Sequence, residues 1–348
     1  MATPYTPTVL TTPAVNPATG SSGAPPIPYI SLSEYQYAPT AMSTRGLKPG
    51  GTSQDQNQVL ADTIRRATQW ADAMCFGADP AAAGVSLAAS LAVQSTFTTV
   101  KQGDLRLICD YKPILELIGC DVGGDPSTVT SIGTIAASAR FGRRTIYIPF
   151  YGVPFRNGTT SPTLVPGTPA YGKLYAVWSY VNGYPHTQLV ANVTEGATSC
   201  VVDATDGNGG MWGVYPASGA FPGTLLTVTD GVNTESVFVQ AVAVNTPSSG
   251  KATLTTTAFA NAHTLPTAPD FIPVSALPPD VHQAVISLTT MLIKTRGARA
   301  MEMPRIPGQM PREKWQNDQV IAQAGAMEDF QIARQLLTPY MVRLKSGS

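Results

Sequence analysis

Residues 277–297 read LPPDVHQAVISLTTMLIKTRG, and this stretch decides the fold class. Pro278 and Pro279 suit a first helical turn, whose amides lack intrahelical partners, and Asp280 complements the positive end of the helix dipole. Val281, Val285, Leu288 and Leu292 fall on one face at helical spacing. Lys294, Arg296 and Gly297 then close the helix where cations and glycine are favoured. The residues just before it form a long Thr/Val-rich stretch with strand periodicity. A helix returning after such a stretch implies a helical module opened in its middle by β structure and completed by its own C-terminus.

Toward the C-terminus, a second helix is predicted over 311–337, with Trp315, Val320, Ala324, Met327 and Phe330 as its apolar face. Pro339 ends or kinks it. The last segment, Tyr340-Met341-Val342-Arg343-Leu344-Lys345, mixes apolar and basic side chains and reads as a docking peptide, with a frayed tail as the alternative.

Toward the N-terminus, residues 162–274 give short strands at regular spacing. Segments 174–181 and 186–193 flank Asn182-Gly183, a hairpin cue, although Pro185 lengthens the loop. Strands at 198–203, 223–229, 235–244 and 251–257 follow, a pattern that suggests a compact sandwich or barrel. Asp203, Asp206 and Asn208 lack the spacing and the following bidentate Glu of a calcium loop.

The first half opens with Ser31 and Glu34 in the spacing of a capping box. A helix over 54–76 carries the stripe Val59, Leu60, Ile64, Ala67, Trp70, Ala71 and Met74, core material with Trp70 as packing rather than a ligand platform. A hairpin (96–100 with 105–109), a strand at 114–122 and an edge strand at 144–151, marked by Pro149, complete a small α+β unit. The expected architecture is α+β: a helical core with small strands, from 29–160 and 275–348, interrupted by an all-β sandwich or barrel-like insertion at 161–274. Residues 1–28 precede it as an extended arm without a single charged side chain.

Composition narrows the function. Of 348 residues only 13% are charged, and 22 basic residues balance 22 acidic ones, so no net field draws the chain to nucleic acid and tight DNA wrapping is excluded. No basic n-region with an apolar core opens the chain, and 81–93 is too short to cross a bilayer. A cytoplasm-like compartment and no membrane partner are expected. The four cysteines form no C-x-x-C pair and the three histidines are scattered, so buried free thiols are expected and no metal. Acidic residues are dispersed, G-x-S-x-G is missing, and Gly207–Gly213 is not placed as a phosphate loop. The expectation is a protein that is not an enzyme and takes no cofactor.

Several phrases carry a family resemblance. YISLSEYQYAPTAMS (29–43), the helix ending in Trp70-x-Asp72-x-x-Cys75, and VKQGDLRLICDYKPILELIGCDVG (100–123) resemble the N-terminal half of bacteriophage head-to-tail adaptor (connector) proteins of long-tailed phages, especially those of actinobacterial hosts. GATSCVVDATDG (196–207), FPGTLLTVTDGVNTESVFVQAV (221–242), ALPPDVHQAVISLTTMLIKTRG (276–297) and ARQLLTPYMVR (333–343) are similar to the β insertion, returning helix and ending of the same proteins. The likeness covers most of 29–344. The Pro/Thr-rich arm and residues 140–170 depart from it.

That resemblance implies a dodecameric ring below the portal in the virion neck, assembled in the host cytoplasm and receiving a stopper or tail terminator protein beneath. Implied partners are the portal protein, copies of itself, double-stranded DNA in passage, and the major capsid protein through the β insertion. The C-terminal region is the family's portal-facing part, which assigns that role to Trp315, Phe330, Leu336, Leu337, Tyr340, Met341, Arg343 and Lys345. Lys294, Arg296 and Arg299 either border the channel or form a dipole-matched helix end on a solvated face. A capsid decoration, tail-tube or tail-terminator protein is the main alternative, and a free monomeric binding module the third.

Overall fold

The computed structural model describes residues 27–76, 86–101, 103–127, 129–132, 139–142, 144–149, 172–204, 214, 217, 223–244, 250–295 and 324–341. They form a mixed α+β protein of helices and two curled antiparallel sheets. Ala89–Gly183 makes one compact unit, and the described residues before Ala89 and from Tyr184 onward make the other.

The first unit is a seven-stranded sheet folded on itself. Its strands are β1 Ser90–Lys101, β2 Asp104–Ile108, β3 Ile114–Gly123, β4 Thr130–Ser131, β5 Arg140–Phe141, β6 Thr145–Pro149 and β7 Gly172–Asn182, in the order β4-β3-β7-β1-β2-β6-β5. Gly103, at φ 81°, makes the β1–β2 turn that Val100↔Leu105 and Lys101↔Asp104 close. Strand period two sends Ala92, Val100, Leu105, Leu107, Cys120, Val122, Ile146, Ile148, Leu174, Ala176, Trp178 and Tyr180 to one buried face. Two expectations change here. β6 is not the edge, since β5 pairs beyond it, although Pro149 does sit at its last position. β7 is not half of a hairpin around Asn182-Gly183. It pairs along its whole length with β1 on one side and from Tyr175 to Asn182 with β3 on the other, so both neighbours of that stretch are taken before the chain passes Gly183. The Gly183 amide bonds Pro113 instead.

The second unit holds the helices and the other sheet. Helix α1 is Leu32–Tyr37, α2 is Ser53–Phe76, α3 is Pro279–Lys294 and α4 is Ala324–Leu337, followed by a 3-10 turn Thr338–Tyr340. Ser31 caps α1 by accepting from the Glu34 amide at 3.0 Å, but Glu34 does not complete the box. A reciprocal pair stands at α2 instead, where Thr52 Oγ1 accepts from the Asp55 amide and the Thr52 amide donates to Asp55 Oδ2. Pro278 caps α3, with Pro279 and Asp280 in its first turn and Lys294 in its last. Leu60, Ile64, Ala67 and Ala71 of α2, Val281, Ala284, Val285, Leu288 and Met291 of α3, and Ala326, Ala333 and Leu337 of α4 bury together in one core. Residues far apart in the chain thus share a single hydrophobic cluster, each Leu or Val contributing about 1.5–3 kcal/mol.

The second sheet has six strands, β8 His186–Gln188, β9 Ser199–Asp203, β10 Leu225–Thr229, β11 Thr234–Val244, β12 Lys251–Thr256 and β13 Pro273–Ser275, ordered β8-β13-β10-β11-β12-β9. Its two end strands meet: Leu189 bridges Val202, and the Val190 amide bonds the Val201 carbonyl. Leu189, Cys200, Val202, Leu226, Val228, Val237, Val239, Leu254, Phe259 and Val274 fill the interior. This sheet belongs to the same unit as the helices rather than to a separate insertion. Asp270 accepts from the Leu32 amide at 2.9 Å and from the Ser33 hydroxyl, tying the sheet to α1.

Candidate functional site: the C-terminal helix and the polar join

A buried polar cluster lies where the N-terminal segment, α2, α3 and the curled sheet meet. Tyr29 is fully buried, and its hydroxyl donates to Asp72 Oδ1 at 2.6 Å. The Leu87 amide donates to both oxygens, at 3.0 Å to the Tyr29 hydroxyl and 2.9 Å to Asp72, and the Ala88 amide adds a third bond at 3.2 Å. Burial pushes the Asp72 carboxyl up to about 7, against the hydrogen bonds from Tyr29 and Leu87 that favour its charged form. Burial, then the charge of Asp72, raises the Tyr29 phenol well above its ordinary value.

His186 stands edge-on to the Tyr29 ring, with centroids 5.5 Å apart. Its Nε2 lies 2.9 Å from the Pro28 carbonyl, which can only accept, so Nε2 carries the proton. Nδ1 then accepts from Ser275 Oγ at 3.0 Å, and that oxygen accepts from the Leu277 amide at 3.0 Å. Loss of solvent, and next the neighbouring His282, lower the His186 imidazole to about 3, outweighing the Pro28 bond. The ring is a neutral staple. His282 Nδ1 meets Glu34 Oε1 at 2.6 Å, fastening α3 to α1. Apart from Glu34 Oε2, which is buried without a hydrogen-bond partner, these polar groups bond one another and the backbone, and so fix the chain's entry and return.

The segment expected to dock a partner packs largely on its own unit. Leu337 is fully buried, and Phe330, Leu336, Tyr340 and Met341 pack against the helical core. Tyr340 also sets its ring edge toward Tyr184 at 6.2 Å. A free apolar docking peptide is therefore not what residues 336–341 form, because α3 offers them a closer apolar surface. Trp315, Arg343 and Lys345 lie outside the described residues, as do Val320, Arg296 and Arg299. Lys294 pairs with Asp329 at 2.7 Å, an α3–α4 staple rather than an open cation. What α4 leaves to solvent is a shallow groove lined by Gln331, Arg334, Gln335 and Thr338, with Ile332 exposed beside it.

Family models, curated proteins and solved structures give no match to this chain.

All four cysteines are buried. Burial lifts Cys109, Cys120 and Cys200 to about 12, which disfavours the thiolate form of these three. Among the described residues no group of His, Cys, Asp and Glu is arranged to hold a metal, and no helix is long and apolar enough to cross a membrane. Of the residues Asp203, Asp206 and Asn208, only Asp203 is described, and its carboxylate accepts from Gln188. Two polar centres escaped the sequence reading. Asp72 was detectable, since it continues the spacing of Leu60, Ile64 and Thr68 and is the one acid on that buried stripe. His263, described below, had no such signal, because its partners lie across a loop.

Proposed function

We propose that the chain is a structural protein of a bacteriophage head-to-tail junction, an adaptor whose copies form a ring between the portal vertex and the tail. The observation that carries this reading is the common core of α2 with α3 and α4, built from the same separated phrases that resemble the adaptor family. In such a ring the helices mediate attachment. The outer face of α4, with Gln331, Arg334, Gln335 and Ile332, is the portal-facing surface in this reading, in place of the buried Leu337. The even balance of charge suits DNA that must slide through a channel without being held.

The test is co-sedimentation of the purified chain with purified portal rings. Binding that is lost on Arg334→Glu combined with Gln331→Glu supports the adaptor role. Absence of portal binding, with binding instead to assembled capsid shells, replaces it with a decoration protein.

A further inference from the structure

His263 is fully buried, and both of its ring nitrogens meet carboxylates. Nδ1 lies 3.0 Å from Asp230 Oδ2, and Nε2 lies 2.8 Å from Glu235 Oε1. Against the upward pull of burial, backbone amides and the ring itself hold both carboxyls below their usual range, so both are ionised at neutral pH. An ionised carboxylate only accepts, so each ring nitrogen must donate, whereas a neutral imidazole has a single N–H. The ring that fits this site is the imidazolium, held on both sides by charge-assisted hydrogen bonds. His186 shows the contrast, since its Nδ1 accepts from Ser275 and only its Nε2 donates.

The two acids fasten the ring to separate pieces of backbone. Asp230 Oδ1 accepts from the Val232 amide at 2.9 Å and the Asn233 amide at 2.6 Å, which shapes the β10–β11 turn. Glu235, near the start of β11, accepts from the Ala260 amide at 2.6 Å and the Asn261 amide at 3.0 Å. The His263 backbone pairs in both directions with Val193, and the Phe259 ring stands edge-on to the imidazole at 6.0 Å. Asp230 from the turn and Glu235 from β11 are thus the charged groups that face the ring. The remaining neighbours present backbone, an aromatic edge and the Asn261 side chain.

Directly after Asp230, Gly231 at φ 88° presses on α1. A Cβ there would lie 2.6 Å from Ser33 Cβ and 2.9 Å from the Tyr37 ring. So close a fit tolerates little displacement, and it depends on how Asp230 holds the two amides that follow. A neutral ring would leave one carboxylate facing a nitrogen lone pair, with two ionised acids about an uncharged group in a nearly dry site.

We propose that His263 is a charge-dependent latch: doubly protonated, it fixes the β10–β11 turn against α1, and loss of one ring proton releases that turn. The apolar interior of the sheet keeps its own contacts, so the release is local. Rising pH opens the latch by removing the ring proton. Acid opens it from the other side, but only as pH falls below the ordinary carboxylate value and protonates Asp230 and Glu235.

Nitrogen NMR of the full chain labelled at its histidines, combined with amide exchange across pH, tests the latch. At pH 7 the His263 ring shows two protonated nitrogens and the His186 ring one, Nε2. As pH rises, the Val232 and Asn233 amides lose protection, corrected for base catalysis, over the interval in which His263 gives up its second proton. The amides of α2 and α3 keep theirs. His263→Gln, uncharged at every pH, quickens exchange of the two turn amides at pH 7 by at least roughly tenfold and removes their pH-dependent step. Asp230→Asn keeps the acceptor for those amides but removes one charge from the ring's surroundings. Its His263 gives up the proton at lower pH, and the turn opens at that lower pH too, so this variant carries the test even where His263→Gln does not fold. A single protonated nitrogen on His263 at pH 7, or turn amides whose protection ignores the ring's proton, overturns the latch.

Discussion

The Tyr29 hydroxyl donates to Asp72 Oδ1 at 2.6 Å, joining positions 43 residues apart beneath the backbone amides of Leu87 and Ala88. Because burial raises Asp72 to about 7, the folded chain holds this proton more tightly than the unfolded chain does. The associated stability is complete below the ordinary carboxylate value and is lost as pH climbs through about 7, on the order of 4 kcal/mol across that window. Urea unfolding between pH 4 and 8 should show this decline, and Asp72→Asn should flatten it. An equal slope in the variant would assign the decline to other groups.

Asp230 and Glu235 act in the opposite sense. Burial raises both carboxyls, but amide donors and His263 outweigh it and hold them below the usual range. Their stabilisation is present above the unfolded carboxylate value and disappears as pH falls through the lowered folded values. His263→Leu leaves the two acids without their shared partner and should cost about 3 kcal/mol at neutral pH. Guanidinium unfolding checks the figure, and a loss below about 1 kcal/mol would mean that the histidine is not the brace of the turn.

Leu337 closes the helical core, fully buried against α3. Leu337→Ala should destabilise the chain by about 2–5 kcal/mol. Amide exchange should quicken first in α4, before α2. Lys294→Met, which removes the pair with Asp329, should cost about 1 kcal/mol or less, since both side chains keep some solvent.

Thiol labelling offers a simpler check. All four cysteines are buried, so a maleimide should leave the native chain unmodified and label all four in denaturant. Rapid native labelling of Cys109 or Cys120 would place an opening in the seven-stranded sheet.

Much of the fold was readable because it is written in local periodicity. The α2 stripe, the proline start of α3 and strands β9 to β12 follow from spacing alone. The partners of β7 did not, for Asn182-Gly183 is a cue of two residues, whereas the pairing of β7 with β1 and β3 is set by long-range register. That error moved the division of the chain: the strands at 90–149 close with β7, and the second sheet keeps company with the helices. The docking peptide changes in its first two residues, since Tyr340 and Met341 pack against the helical core, Tyr340 also beside Tyr184, while 342–345 lie outside the described residues. His263 illustrates the limit most plainly, since nothing in Asn261-Ala262-His263 announces two carboxylates, one from the β10–β11 turn and one from β11, on either side of its ring.

The role proposed for this chain is that of a ring-forming part of a virion neck. Cryo-electron microscopy of portal rings mixed with the protein tests it most directly. A ring of identical copies seated beneath the portal is expected, with α2, α3 and α4 of each copy in one helical density and the outer face of α4 toward the portal. Portal rings left bare, or copies found only on the capsid lattice, would contradict it.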